Sequence, residues 1–323
     1  MDTPRTKPSS DSDSEVSNAT QNDDVIICVM GCTGTGKSLF IKLLTKDTSV
    51  KVSDSLESET SEVQLVRFVD RTSGRTVALV DTPGFDDSRK GITDTVVLKK
   101  ITSFLLKQYD GKRKLNGLVY LHRITDTRFG GQSKINLRMF QNLCGPEAYK
   151  NVVVLTTFWD QISSPEVGDK REMELKDNFL NGLFGGGATF MRHNRTVERA
   201  QRVLRHVLTF VPTDIQIVKE IREEGKSLEE TAAGSVHGAE VERLIAKHRQ
   251  EIEKIREEMN RVKEDTASMK RDLEELRDEH MKKIAQLESE RVDLKNGLEE
   301  ETRNREVLPA EAEKEKSHHR QWL

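Results

Sequence analysis

The sequence predicts an α/β fold, a mostly parallel sheet with helices on both faces, followed by a long C-terminal coiled-coil helix. Three observations predict it. Short apolar, β-branched runs alternate with helical patterns through the first two thirds of the chain. A glycine-rich stretch, Gly31-Cys32-Thr33-Gly34-Thr35-Gly36-Lys37-Ser38, separates the first such run from the first helix. From about residue 239 to 303 the chain lacks proline and spaces its apolar residues by alternating fours and threes.

The run Val25-Ile26-Ile27-Cys28-Val29-Met30 has the texture of a strand buried on both faces. Residues 76–80, 115–121 and 151–155 repeat it. Helical patterns span 38–44, 93–106, 134–144 and 197–208. In such folds ligands bind at the carboxyl ends of the strands. Residues 1–23 are rich in Pro, Ser, Asp and Thr and read as a disordered leader. The sheet domain is placed at 24–212, with a helix and linker at 213–238 and the coiled coil at 239–303. Residues 304–323 read as a flexible tail.

The heptad seam passes through Val241, Ile245, His248, Ile252, Ile255, Leu273, Leu276 and His280. His248, Thr266 and His280 interrupt it, so a single solvated helix is the alternative to a coiled coil. A four-residue step from His280 to Ile284 is a stutter. One unbroken helix here would be roughly 95 Å long.

Charged residues make up 33% of the 323 and aromatics 5%. Much of the charge lies beyond about residue 219, which fits a globular domain with a polar helical extension. The 52 basic and 55 acidic residues nearly cancel, which gives a nucleic-acid partner no electrostatic support. Cys28, Cys32 and Cys144 have neither disulfide-framework nor metal spacing, as in a reducing compartment. There is no secretory signal at the start and no apolar run near the ~20 residues that span a bilayer. The expectation is a cytoplasmic protein without a transmembrane segment.

Gly-x-x-x-x-Gly-Lys-Ser is a phosphate loop: its glycines let the backbone wrap an anion closely with N–H groups turned inward. Lys37 is expected at the β- and γ-phosphates and Ser38 on Mg²⁺, with the following helix aiming its positive end at the anion. Gly31, Thr33, Gly34, Thr35, Gly36, Lys37, Ser38 and Leu39 form the expected cradle. Asp81-Thr82-Pro83-Gly84 ends a strand; Asp81 there can hold Mg²⁺ through water, and the Gly84 amide can meet a γ-phosphate oxygen. A strand ending in Thr156-Thr157-Phe158-Trp159-Asp160 resembles the guanine-reading segment of G domains, which implies that Asp160, with Thr157 before it, accepts from guanine's ring N–H and amine, a pair adenine lacks.

Together these segments resemble a P-loop GTPase G domain of the septin, Toc and immunity-associated branch. Asp81-Thr82-Pro83-Gly84-Phe85-Asp86-Asp87, Leu121-His122-Arg123-Ile124-Thr125-Asp126 and Thr156-Thr157-Phe158-Trp159-Asp160 are similar to a group of fungal G-domain proteins related to it. The resemblance covers about residues 24–235. It implies GTP/GDP and Mg²⁺ as ligands, with Thr60 as the switch threonine that closes on Mg²⁺ beside Ser38 and Asp81. Lys37, Thr60 and Gly84 are then the catalytic set. It also implies His193 or Arg192 covering the base, and homodimers formed through the G domain, the coiled coil or both, with further effector proteins.

Two departures from the family pattern matter. Phe158 stands where Lys, Arg or His is usual, which leaves stacking as its means of meeting the base. Phe85 stands where many GTPases carry a water-orienting glutamine. Hydrolysis is therefore expected to be slow, or to draw on Asp86, Asp87, Arg123 or a second subunit. A GTP-binding scaffold that does not hydrolyse is the alternative; a P-loop ATPase is a weaker one.

Overall fold

Alternate residues of the first strand serve two different cores. The computed structural model describes residues 24–45, 62–86, 93–127, 129–261 and 267–296. Its strands are β1 (Val25–Gly31), β2 (Gln64–Val69), β3 (Thr76–Asp81), β4 (Leu115–Arg123), β5 (Val152–Thr157) and β6 (Thr189–Arg192). They form one sheet in the order β2-β3-β1-β4-β5-β6, parallel except for β2, which runs antiparallel to β3. Ile26, Cys28 and Met30 point into one apolar cluster and Val25, Ile27 and Val29 into the other. That is the period of two, buried twice, and it explains why β1 reads as an unbroken apolar run.

Helices α1 (Lys37–Thr45) and α6 (Val197–Val207) cover the second face with Phe40, Ile41, Ala200, Val203 and Leu204. Helices α2 (Asp94–Asp110) and α3 (Gly131–Cys144) cover the first with Val97, Ile101, Leu137 and Phe140. Two further helices, α4 (Pro165–Asn178) and α5 (Asn181–Gly185), lead to edge strand β6. This is the mostly parallel, two-faced sheet the alternating runs predict. Arg192, expected with His193 to cover the base, instead ends β6, which pairs with β5 from Val153 to Thr156.

The stretch expected as a helix and linker, 213–238, packs onto the sheet domain. It contains α7 (Gln216–Arg222) and the start of α8 (Ala232–Arg261). Ile215, Ile217, Val218, Leu228 and Ala233 are buried in the first-face core. The buried Glu220 carboxylate accepts the Ala232 N–H at 3.1 and 3.3 Å from its two oxygens, which caps α8 and opposes its dipole.

The single long helix is also corrected. Helix α8 ends at Arg261 and α9 (Ala267–Asn296) returns alongside it, each roughly 45 Å long at 30 residues. Ion pairs Arg291–Glu242 (2.7 Å) and Arg249–Glu288 (2.9 Å) run across the pair, antiparallel in register. Seam residues Val241, Ile245, Ile255, Ile284 and Leu294 are buried. Part of the heptad seam is thus buried within one chain, while Leu276 stays 43% exposed. Thr266 lies outside the described residues.

The foot of this hairpin sits on the sheet domain. Leu294 is fully buried in the first-face core, and His237 Nε2 lies 2.6 Å from Thr95 Oγ1 of α2. Leu294→Ala is expected to cost about 2–5 kcal/mol, the range for emptying a well-packed leucine site. Urea denaturation followed by far-UV circular dichroism measures it; an unshifted midpoint would mean that α9 does not dock.

Candidate functional site

The loop after β1 closes around its own lysine. Lys37 opens α1 with only 7% of its surface exposed, and its ammonium donates to the Gly31 and Cys32 carbonyls, both at 3.0 Å. The turn depends on glycine. Gly31 has φ +142°, and a Cβ there would lie 2.5 Å from the Leu121 carbonyl oxygen; Gly36 has φ +93°. The amides of the α1 N-terminus follow directly, an anion site by geometry and dipole. Leu39 lies in that first turn, half-buried.

Beside the lysine, Ser38 Oγ donates to Asp81 Oδ2 at 2.8 Å. Asp81 ends β3 with 1% exposure, and the next residue, Thr82, donates its hydroxyl to the Val29 carbonyl at 2.8 Å. The turn then lies against the loop: the Thr33 N–H donates to the Phe85 carbonyl at 3.0 Å. A Cβ on Gly84 would fall 2.5 Å from Thr33 Oγ1 and 2.6 Å from the Thr33 nitrogen. Gly84→Ala must therefore push the turn off the loop, at an expected cost of about 1–3 kcal/mol, as for other overpacking. A thermal or urea midpoint equal to the parent's would contradict that contact.

At the end of β5, Thr157 has a tethering role. Its hydroxyl lies 2.9 Å from the Thr35 carbonyl and 3.3 Å from that of His122, joining β5 to the loop. Phe158 is left-handed at φ +63°, which turns its ring toward the loop; its Cε2 would meet a Cβ on Gly36 at 3.9 Å. Asp160 is paired with Arg195 at 2.7 Å, and the Arg195 guanidinium also lies 5.2 Å from the Phe158 ring centre. Trp159 turns away, donating to Thr156 Oγ1 at 2.9 Å beneath Arg192.

His193, expected to cover the base, is 1% exposed and packed edge-on against Phe40. Both its ring nitrogens are buried without hydrogen-bond partners among the described residues. Burial, reinforced by Arg195, pushes its pKa down to about 4, so it stays neutral. Arg192 points to Asp169 and Glu172. The residue of this loop that reaches the β5 end is Arg195, which the sequence pattern did not single out.

Arg123 ends β4 beside the loop, its Nη1 3.4 Å from a Cβ built on Gly34, and it also pairs with Asp126 at 3.1 Å. Phe85 is wholly buried in the first-face core. Burial and the neighbouring Asp94 push the Asp86 carboxyl above its ordinary pKa, against the pull of Arg123. Behind the loop, the buried Asn136 of α3 holds Cys32 Sγ at 3.7 Å and Gln132, which also donates to Asp94 at 2.6 Å. Nothing in the helical pattern marked Asn136 or Gln132 out. Thr60 and Asp87 lie outside the described residues.

The residues present fit a magnesium–nucleotide ligand. A hydroxyl and a buried carboxylate meet beside the lysine, the glycines leave room for a phosphate, and Thr33 Oγ1 is buried there without a hydrogen-bond partner among the described residues. The fold and this arrangement define a P-loop GTPase-type G domain, followed by C-terminal helices.

One family model agrees on the class over the stretch that it matches. The family described as 50S ribosome-binding GTPase matches residues 26–128. GTP-binding protein A of Dictyostelium discoideum is 26% identical over 137 residues, 42% of this chain and 28% of that protein. The chain thus spans well under half of that relative. Among solved structures, Toc33 of Arabidopsis thaliana in complex with Mg²⁺ and GMPPNP superposes with a TM-score of 0.43 at 20% identity. The match covers 56% of this chain and 75% of Toc33. Era in complex with MgGDPNP and a segment of 16S ribosomal RNA gives 0.44 at 14% identity, over 59% of this chain and 58% of Era.

Proposed function

We propose that this chain is a guanine-nucleotide-binding switch that hydrolyses GTP slowly to GDP and phosphate. The contact of Ser38 with Asp81 beside the buried Lys37 carries the reading, since it joins the phosphate loop to the end of β3. Mg²⁺, when bound, neutralises charge on the β- and γ-phosphates. Ser38 and Asp81 would hold it, with Thr60 as the third expected ligand. Lys37 and the loop amides bind and orient the phosphates, and the Gly84 segment senses the γ-phosphate. Asp160 reads the base and Phe158 and Arg195 flank it.

The chain's own groups leave the water step weakly served. Phe85 is buried and carries no hydrogen-bonding group, while Arg123 beside Gly34 offers positive charge to the phosphate chain. Pairing of two G domains across the nucleotide could supply the rest, and kinship with the septin, Toc and immunity-associated branch belongs to this proposal. So do recruitment of effector proteins, the absence of a nucleic-acid partner and a cytoplasmic location. Among the described residues no helix is long and apolar enough to cross a membrane. The burial of Phe85 also favours a second reading, a GTP-binding scaffold that does not turn over.

The test is nucleotide affinity with Mg²⁺ together with phosphate release across protein concentrations. Expected are GTP bound well above ATP, release slower than about 10⁻² per second without a partner, and loss of binding in Lys37→Ala. Equal affinity for the two nucleotides would sink the guanine assignment. Tight GTP binding with no release at any protein concentration selects the scaffold.

A further inference from the structure

Two histidines break the heptad seam, and the fold brings them face to face. His248 of α8 and His280 of α9 lie with their Nδ1 atoms 2.8 Å apart. Glu251, three residues beyond His248 and so on the same face of α8, places Oε2 3.3 Å from one Nδ1 and 3.2 Å from the other. Its other oxygen is turned to Lys247 at 3.8 Å. The histidine side chains are 14% exposed and Glu251 31%, so the cluster lies at the half-buried margin of the hairpin.

Hydrogen bonding alone does not satisfy this triangle. If one Nδ1 carries the proton and donates to the other, no N–H is left for the carboxylate oxygen 3.2–3.3 Å from both. If both carry protons and donate to Glu251, two N–H groups oppose each other at 2.8 Å. A cation at the centre is attracted to all three atoms at once. Ligands bound at 2.0–2.1 Å in a tetrahedron stand roughly 3.3 Å apart, which matches the 3.3 and 3.2 Å from Glu251 to the two imidazoles, whose own 2.8 Å separation would widen on binding. An apolar pair would also suit these seam positions better, as at the buried Ile245 and Ile284 nearby.

We infer that His248, Glu251 and His280 form a divalent-metal site that clasps α8 to α9. Two imidazoles and one carboxylate suit zinc among the late first-row ions, with water completing the tetrahedron on the exposed side. The clasp uses no residue of the nucleotide loop, so it holds whether or not the proposed switch is correct.

The test is titration of the full chain with Co²⁺ as a spectroscopic probe, in excess Mg²⁺ to occupy hard oxygen sites, followed by displacement with Zn²⁺. One Co²⁺ per chain with visible d–d absorption is expected, and Zn²⁺ should abolish the signal and raise the melting temperature. His248→Leu with His280→Leu keeps the seam apolar, and far-UV circular dichroism checks that the helices persist. Loss of an outer partner alone weakens metal sites by about 10–100-fold, so this double variant should bind at least about 100-fold more weakly. Glu251→Gln, which disturbs packing least, should also weaken binding. No Co²⁺ signal in the native chain, or equal affinity in native and variant proteins, would overturn the site.

Discussion

Asp160→Ala is expected to lower GTP affinity by roughly 10²–10⁴-fold while leaving ATP affinity within about twofold. On the proposed reading the carboxylate offers two acceptors to the guanine ring N–H and amine, and each hydrogen bond to a charged group contributes about 1.5–3 kcal/mol. Its present partner, Arg195, is over a third exposed on its side chain, as is Asp160 itself, so breaking that pair should leave fold stability almost unchanged. The specificity of the loss can be checked with Asp160→Asn. Asparagine replaces one acceptor with a donor, which suits a purine bearing a second ring carbonyl, such as xanthine. Isothermal titration with GTP, XTP and ATP reads all three. If GTP and ATP affinity fall together in the alanine variant, Asp160 acts through the loop and not on the base.

The sheet and phosphate loop were legible because their signals are local. Strand β1 is apolar at every position because both faces are covered, and the loop must be glycine where a Cβ would strike Leu121. The proposed base site was harder to read. Thr157 and Asp160 follow from a strand-end pattern, yet Arg195 reaches Asp160 from 35 residues away through a left-handed turn that no periodicity marks. His193 was misplaced for the same reason: the short β6 diverts its chain under α1, and a single histidine carries no sign of its burial. The heptad pattern reads as a seam, but seam spacing does not say which helix is the partner. Only tertiary structure shows α9 folding back on α8, which brings His248 and His280 together.

Acidification from pH 6.5 to 4 is expected to unfold the protein, driven by three buried histidines. Burial is the main force on each. His122, between Asp126 and Arg123, His193 beside Arg195, and His237 near Glu240 all have their pKa pushed down to about 4 from 6.5. The unfolded chain therefore takes up protons near pH 6.5 that the native state refuses until about pH 4. Stability is full above pH 6.5 and falls as pH drops through this window, because the unfolded state holds more protons there. Each histidine would contribute a loss on the order of 2–3 kcal/mol, and three together approach the 5–15 kcal/mol of a typical domain. Carboxylates that gain partners in the native state would matter at lower pH. Urea midpoints measured between pH 7.5 and 5 should fall steeply, and His237→Gln, which can keep a hydrogen bond to Thr95, should reduce the slope by about a third. A slope unchanged by that substitution would show that His237 is protonated as easily in the fold as out of it.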